Sequence, residues 1–346
     1  MLFVPLLIVG ICAVVVAAVS LLASLEGAED AANQKFRSEP IGDATEKCPL
    51  KQLGAQIVSR AQAKRANDKF SKLSKDDQER FRAVLWDAES NEERLYIWKA
   101  FGACHSVKEC ATFAKKIRGK DPTWLNDKCR LTGSSQGTGI QQQWSHSCNA
   151  TTAQAVRGEM DPVYALQTHE DNPNWGSVDD SDATSDNPKL ASEQQQMLES
   201  EYIGSASGPH TGVAADRGNA GAGSGRWASD LFNDPAEQAG VTYTTVKDPA
   251  TDDALKAIDA GVDQGVPVPI VIGNAPGGYT HYVLVTGKQK GTPEAYSIHD
   301  PWSGQTVTRS RDDIEQGKID IAGSNTITAV EDPQLQFAQP ATKATC

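Results

Sequence analysis

THYVLVTGKQKGTPEAYSIHDPWSG, residues 280–304, is the stretch that decides the fold. His281 heads the apolar, β-branched run Tyr282–Thr286, which reads as a buried strand, and Ala295–Asp300 reads as a second, shorter one. A Lys- and Gly-containing turn separates them, and Asp300-Pro301 with Ser303-Gly304 stops the second strand by turn chemistry. Two antiparallel strands joined in this way bring His281 and Asp300 to the same end of a sheet. Side chains alternate along a strand, so His299 is expected on the face opposite Asp300. Residues 266–272, VPVPIVI, add another buried strand just upstream.

Working outward, QQQWSHSCNATTAQAVRGEM at 141–160 passes from a polar run into an Ala-rich segment of helical character. Cys148 then falls in the first helical turn, where unpaired N–H groups and the positive end of the helix dipole favour thiolate over thiol. A buried small hydrophobe or half of a disulfide is the ordinary alternative for a cysteine. A cysteine at a helix start, a histidine on one strand and an acid on the next are the parts of a Cys-His-Asp hydrolase. His146 stands too close in sequence to Cys148 to be its base, and His169 and His210 have no partner signal.

Gln142, Cys148 six residues on, His281-Tyr-Val-Leu-Val-Thr-Gly and Asp300-Pro-Trp-Ser-Gly together resemble the C39-like branch of the papain-like cysteine peptidases. The resemblance spans roughly 135–335 and implies a papain-like fold, a helix bearing the cysteine packed on an antiparallel sheet bearing the histidine and the aspartate. It implies Cys148 as nucleophile, His281 as general base and acid, and Asp300 as the group that orients the imidazole. Gln142 and the Cys148 N–H would form the oxyanion hole, a protein or peptide would be the substrate, and no cofactor or metal would be needed. Asn149-Ala150 departs from the Gly and Pro that usually follow the cysteine, although Asn tolerates unusual backbone angles. Similar modules occur as toxins or effectors that bacteria deliver into competitors, which suggests a secreted effector by analogy. The same triad could instead cleave peptidoglycan amides or deamidate glutamine. A non-catalytic binding module on this fold and a structural envelope protein are the rivals from other classes.

A net charge of −12 over 346 residues, without a Lys/Arg block, argues against nucleic acid as a partner. Residues 2–25 carry no charge and are long enough to span a bilayer, as an anchor or an export signal, which places the bulk of the chain outside the cytoplasm. The expected order is a transmembrane or signal segment at 1–25, a linker at 26–49, a helical domain at 50–132, the C39-like domain at 133–335 and a tail at 336–346. Three capping patterns, Ser74…Asp77, Ser90…Glu93 and Ser106…Glu109, start amphipathic helices in the helical domain. Cys48, Cys104, Cys110 and Cys129 cluster there and suggest two disulfides. The helix of Cys148 breaks near Asp161-Pro162, a Gln- and Glu-rich helix follows around 189–202, and 204–226 is a polar loop. Helices first and a largely antiparallel sheet later make an α+β protein.

Overall fold

The computed structural model describes residues 57–133, 139–143, 147–172, 187–200, 232, 240–274, 280–289 and 294–335. The segments expected at 1–25 and 26–49, the loop at 204–226 and the tail at 336–346 lie outside the described residues. Among the described residues no helix is long and apolar enough to cross a membrane.

Among the described residues five helices come first: α1 (Arg60–Lys72), α2 (Lys75–Trp86), α3 (Asn91–Gly102), α4 (Val107–Ile117) and α5 (Pro122–Lys128). Each begins where a short polar side chain takes an orphan N–H of the first turn. Ser74 accepts from the Asp77 N–H, Ser90 from that of Glu93 and Ser106 from that of Glu109, as the spacing requires. Ser106 with Glu109 and Ser59 with Gln62 close full capping boxes, and Asp121 with Pro122 starts α5. The apolar stripes of these helices meet in an aromatic cluster of Phe70, Phe81, Trp98 and Phe101, whose ring centroids lie 4.3–6.3 Å apart.

Next come α6 (Cys148–Met160), α7 (Pro162–Asp171) and α8 (Pro188–Ser200). Asp161 forms the corner between α6 and α7: Pro162 cannot continue the first helix, and the Asp161 carboxylate caps the second through Val163 and Tyr164. The chain then alternates as β1 (Val241–Lys247), α9 (Thr251–Val262), β2 (Val268–Gly273), β3 (Thr280–Gln289), β4 (Ala295–Asp300), β5 (Gln305–Ser310), α10 (Arg311–Glu315) and β6 (Thr326–Leu335). The six strands form one sheet in the order β1-β6-β2-β3-β4-β5, every neighbouring pair antiparallel. The fold is α+β.

The sheet divides two cores by the alternation of its side chains. Leu284 and Tyr243 face the α6–α8 side, among Leu131, Ile140, Val156, Met160 and Leu190. Val283, Val285, Tyr296 and Ile298 face α9, among Leu255, Ile258, Ile270 and Ile272. The continuous apolar run of β2 is explained by its central place: all six of its residues are buried.

The expected boundary at 132/133 falls inside one compact unit. Three links join the first helices to α6 and its corner. Gln62 Nε2 donates to the Met160 carbonyl at 2.5 Å, Arg130 Nε meets Glu159 Oε2 at 2.8 Å, and His105 Nε2 lies 2.9 Å from the Asp161 carboxylate. Burial works against ionised Glu159, but Arg130, Lys99 and the Thr132 hydroxyl outweigh it and hold its carboxyl below the usual range.

The pair of disulfides expected in this region is corrected: Cys110 and Cys129 are free and buried, while Cys104 is disulfide-bonded. Cys110 lies on the inner stripe of α4 with Phe113 and Ile117, and Cys129 is the C-cap of α5. Both serve as small core residues.

Candidate active site

Cys148 is the first residue of α6, and α6 packs on β3, the strand that carries His281 near its start. His281 is fully buried and its Nε2 lies 2.6 Å from Asp300 Oδ1 on the neighbouring β4. The Cys148 thiol is coupled electrostatically to this buried imidazole. Thiol, imidazole and carboxylate thus act on one another as one group.

Burial alone would raise the Cys148 pKa. The hydrogen bond and charge of His281, with the backbone N–H groups of Tyr282 and Asn149, overcome this and lower it. Burial also works against a charged His281, yet Asp300 and Cys148 together raise its pKa to about 9. Both shifts favour a thiolate–imidazolium pair. Asp300 is likewise penalised by burial and is nevertheless held below the usual carboxylate range, by His281 first and then by the Ser303 hydroxyl and the Trp302 N–H. The Trp302 N–H donates to Oδ1 at 2.9 Å and the Ser303 hydroxyl to Oδ2 at 2.7 Å, so the Asp-Pro-Trp-Ser turn fixes the acid before it reaches the histidine.

No family model and no curated protein matches this chain.

The same turn holds the Gln142 segment. Gln142 N–H donates to the Pro301 carbonyl at 2.8 Å, and Gly139 N–H to the Gly304 carbonyl at 2.7 Å. The Gln142 side chain is fully buried. His299 braces the segment from the other face of β4: its Nε2 lies 3.1 Å from the Ile140 carbonyl, and the Thr306 hydroxyl lies 3.4 Å from its Nδ1. Burial pushes His299 down to about 4, so it is a neutral strut and not a second base. His169 is also a neutral, packed histidine, lowered to about 4 by burial, with Nε2 on the Arg130 carbonyl. His146 and His210 lie outside the described residues.

The start of α6 has an unusual feature. Ser147 occupies the N-cap position but makes no side-chain cap bond. Asn149 Oδ1 accepts from the Ala150 N–H at 2.8 Å, and the Thr151 N–H bonds the Ser147 carbonyl. Among the described residues no acceptor takes the Cys148 N–H. Asn149, the departure from the Gly-Pro pattern, is thus used within the first turn.

The structure brings Cys148, His281 and Asp300 together and draws the Gln142 backbone to the Asp300 turn. Sequence reading did not single out Gln194, whose side chain reaches this region from α8 (below), nor the bracing role of His299. Gln194 follows buried Leu190 by one helical turn, a sign of burial that names no partner.

Proposed function

We propose that the region 133–335 is a cysteine hydrolase of papain-like, C39-like type acting on an acyl group, most simply a peptide or other amide. The buried His281–Asp300 pair, coupled to Cys148 at the start of α6, is the observation that carries this reading. In the proposed reaction the Cys148 thiolate attacks the carbonyl carbon, forming a C–S bond and an oxyanion. The Cys148 N–H and the Gln142 side-chain amide receive that oxyanion. As the tetrahedral intermediate collapses, the C–N bond breaks and His281 Nδ1–H protonates the leaving amine. The imidazole then takes a proton from water, which attacks the thioester carbonyl; the C–S bond breaks, the carboxylic acid leaves and the thiolate–imidazolium pair is restored. Asp300, on Nε2, keeps the ring in the tautomer that both proton transfers need.

The uncharged run of residues 2–25 supports membrane attachment or export, with the hydrolase outside the cytoplasm, in keeping with a delivered effector. Fractionation with determination of the mature N-terminus separates an anchor from a cleaved signal.

Activity is tested by incubating the full chain and Cys148→Ala with peptide libraries, glutamine-containing peptides and cell-wall fragments. Amide turnover by the wild-type chain alone supports the proposal. Absence of turnover together with a Cys148 that forms no acyl-enzyme contradicts it.

A further inference from the structure

Gln194 lies on α8, and its amide is fully buried. Its Oε1 accepts twice, from the Gln143 N–H at 3.0 Å and from the Ser147 hydroxyl at 3.0 Å. Its Nε2 donates to the Gln141 carbonyl at 3.2 Å. One side chain thus grips the backbone on both sides of Gln142 and, at the same time, the residue immediately before Cys148. Its own helix is firmly seated. Leu190 and Ala191 are buried, and Glu193 accepts from Tyr164 Oη at 2.8 Å and from Arg157 Nη1 at 3.3 Å.

The bond to Ser147 has a chemical consequence. A serine at the N-cap ordinarily turns its hydroxyl toward an orphan N–H of the first helical turn. Here that hydroxyl points to Gln194 and caps nothing in α6. The helix start stays open where an oxyanion would bind. We propose that Gln194 is a positioning residue of the Cys148 site, drawing the Ser147 hydroxyl away from α6 and fixing the backbone that presents Gln142. This inference rests on the hydrolase reading above and deepens it. Gln194 acts through Ser147 and Gln141–Gln143 and touches no reacting atom.

Two reagents separate positioning of the oxyanion site from general support of the thiol. Iodoacetamide alkylates sulfur by displacement of iodide and forms no oxyanion. With p-nitrophenyl acetate the thiolate attacks the carbonyl carbon, a C–S bond forms, and the C–O bond breaks to release p-nitrophenolate through a tetrahedral oxyanion. Both are measured on the full chain, with Cys148→Ala as the blank. Gln194→Ala is expected to slow acylation by about 10- to 100-fold, less than the roughly 100- to 1000-fold cost of removing an oxyanion donor outright, while alkylation changes by less than about 3-fold. Gln194→Glu is the conservative variant and keeps the experiment decisive if Gln194→Ala does not fold. Its neutral carboxyl can accept and donate like the amide, whereas its carboxylate cannot donate to Gln141. Acylation relative to wild type is therefore expected to be restored at pH 5 and lost at pH 8. Equal acylation in wild type and both variants overturns the inference alone, as does a parallel loss of acylation and alkylation. A wild-type Cys148 that alkylates but never acylates overturns the hydrolase reading and this inference with it.

Discussion

The Gln142 backbone N–H is bonded to the Pro301 carbonyl, one residue beyond the acid that orients His281. A single turn therefore serves two parts of the site. It fixes the Asp300 carboxylate through Trp302 and Ser303, and it anchors the Gln142 segment through Pro301 and Gly304. Coupling of this kind makes the turn a sensitive target.

Gly304 has φ +69°, and an added Cβ would lie 2.7 Å from Gln141 Cγ and 2.9 Å from the Gly139 carbonyl oxygen. Gly304→Ala is expected to cost roughly 1–3 kcal/mol of stability from backbone strain and close contact. Urea unfolding gives the stability, and acylation of Cys148 should fall in the same variant because the Gln142 segment shifts. An alanine variant as stable and as reactive as wild type would contradict the close fit.

His299 supplies a pH test with a defined sign. Its folded-state pKa is lowered to about 4, so the unfolded chain binds the extra proton first as pH falls below 6.5. Stability must then decrease with falling pH through that window, by about 1.4 kcal/mol per pH unit for one proton. His169, lowered to about 4, adds in the same direction. His281 and His105, whose pKa values are raised, act in the opposite direction, losing stabilisation as pH rises toward their folded pKa, and the comparison with a His299 variant cancels their contribution. Urea unfolding of wild type and His299→Gln between pH 5 and 6.5 should give a shallower slope in the variant. Identical slopes would mean that His299 does not stay neutral in the folded protein.

Cys110 and Cys129 are pushed up to about 12 by burial, whereas Cys148 is lowered by its histidine despite burial. Native labelling without reductant, followed by peptide mass spectrometry, should modify Cys148 and leave Cys110 and Cys129 untouched. Unfolding without reductant should then expose both as free thiols. Finding either in a disulfide would contradict the structure.

Much of this arrangement was legible in the chain. Helix starts at Ser74, Ser90 and Ser106 are local signals, since the cap and its acceptor lie three residues apart. Alternation along the strand put His299 on the face opposite Asp300, and His299 does face the other side. The cysteines misled because clustering in sequence says nothing about side-chain direction: Cys110 follows the inner stripe of α4. Gln194 was illegible for a related reason, as its bonds to Gln141, Gln143 and Ser147 join residues 47–53 positions apart. Long-range polar pairings of this kind leave no periodic trace.

The most direct test of a Cys148–His281 ion pair is the pH dependence of iodoacetamide alkylation at Cys148 in wild type and His281→Ala, with circular dichroism as a check on folding. An ordinary thiol, with a pKa of about 8.5, is almost wholly protonated at pH 6, whereas one paired with an imidazolium at a helix start is largely thiolate. Wild-type Cys148 should react at pH 6 roughly ten-fold or more faster than a model thiol, and His281→Ala should remove most of that advantage. Asp300→Asn should reduce alkylation less, because the imidazole itself remains. A folded wild type whose Cys148 reacts no faster than a model thiol at pH 6, with no change in His281→Ala, would contradict the ion pair and the hydrolase built on it.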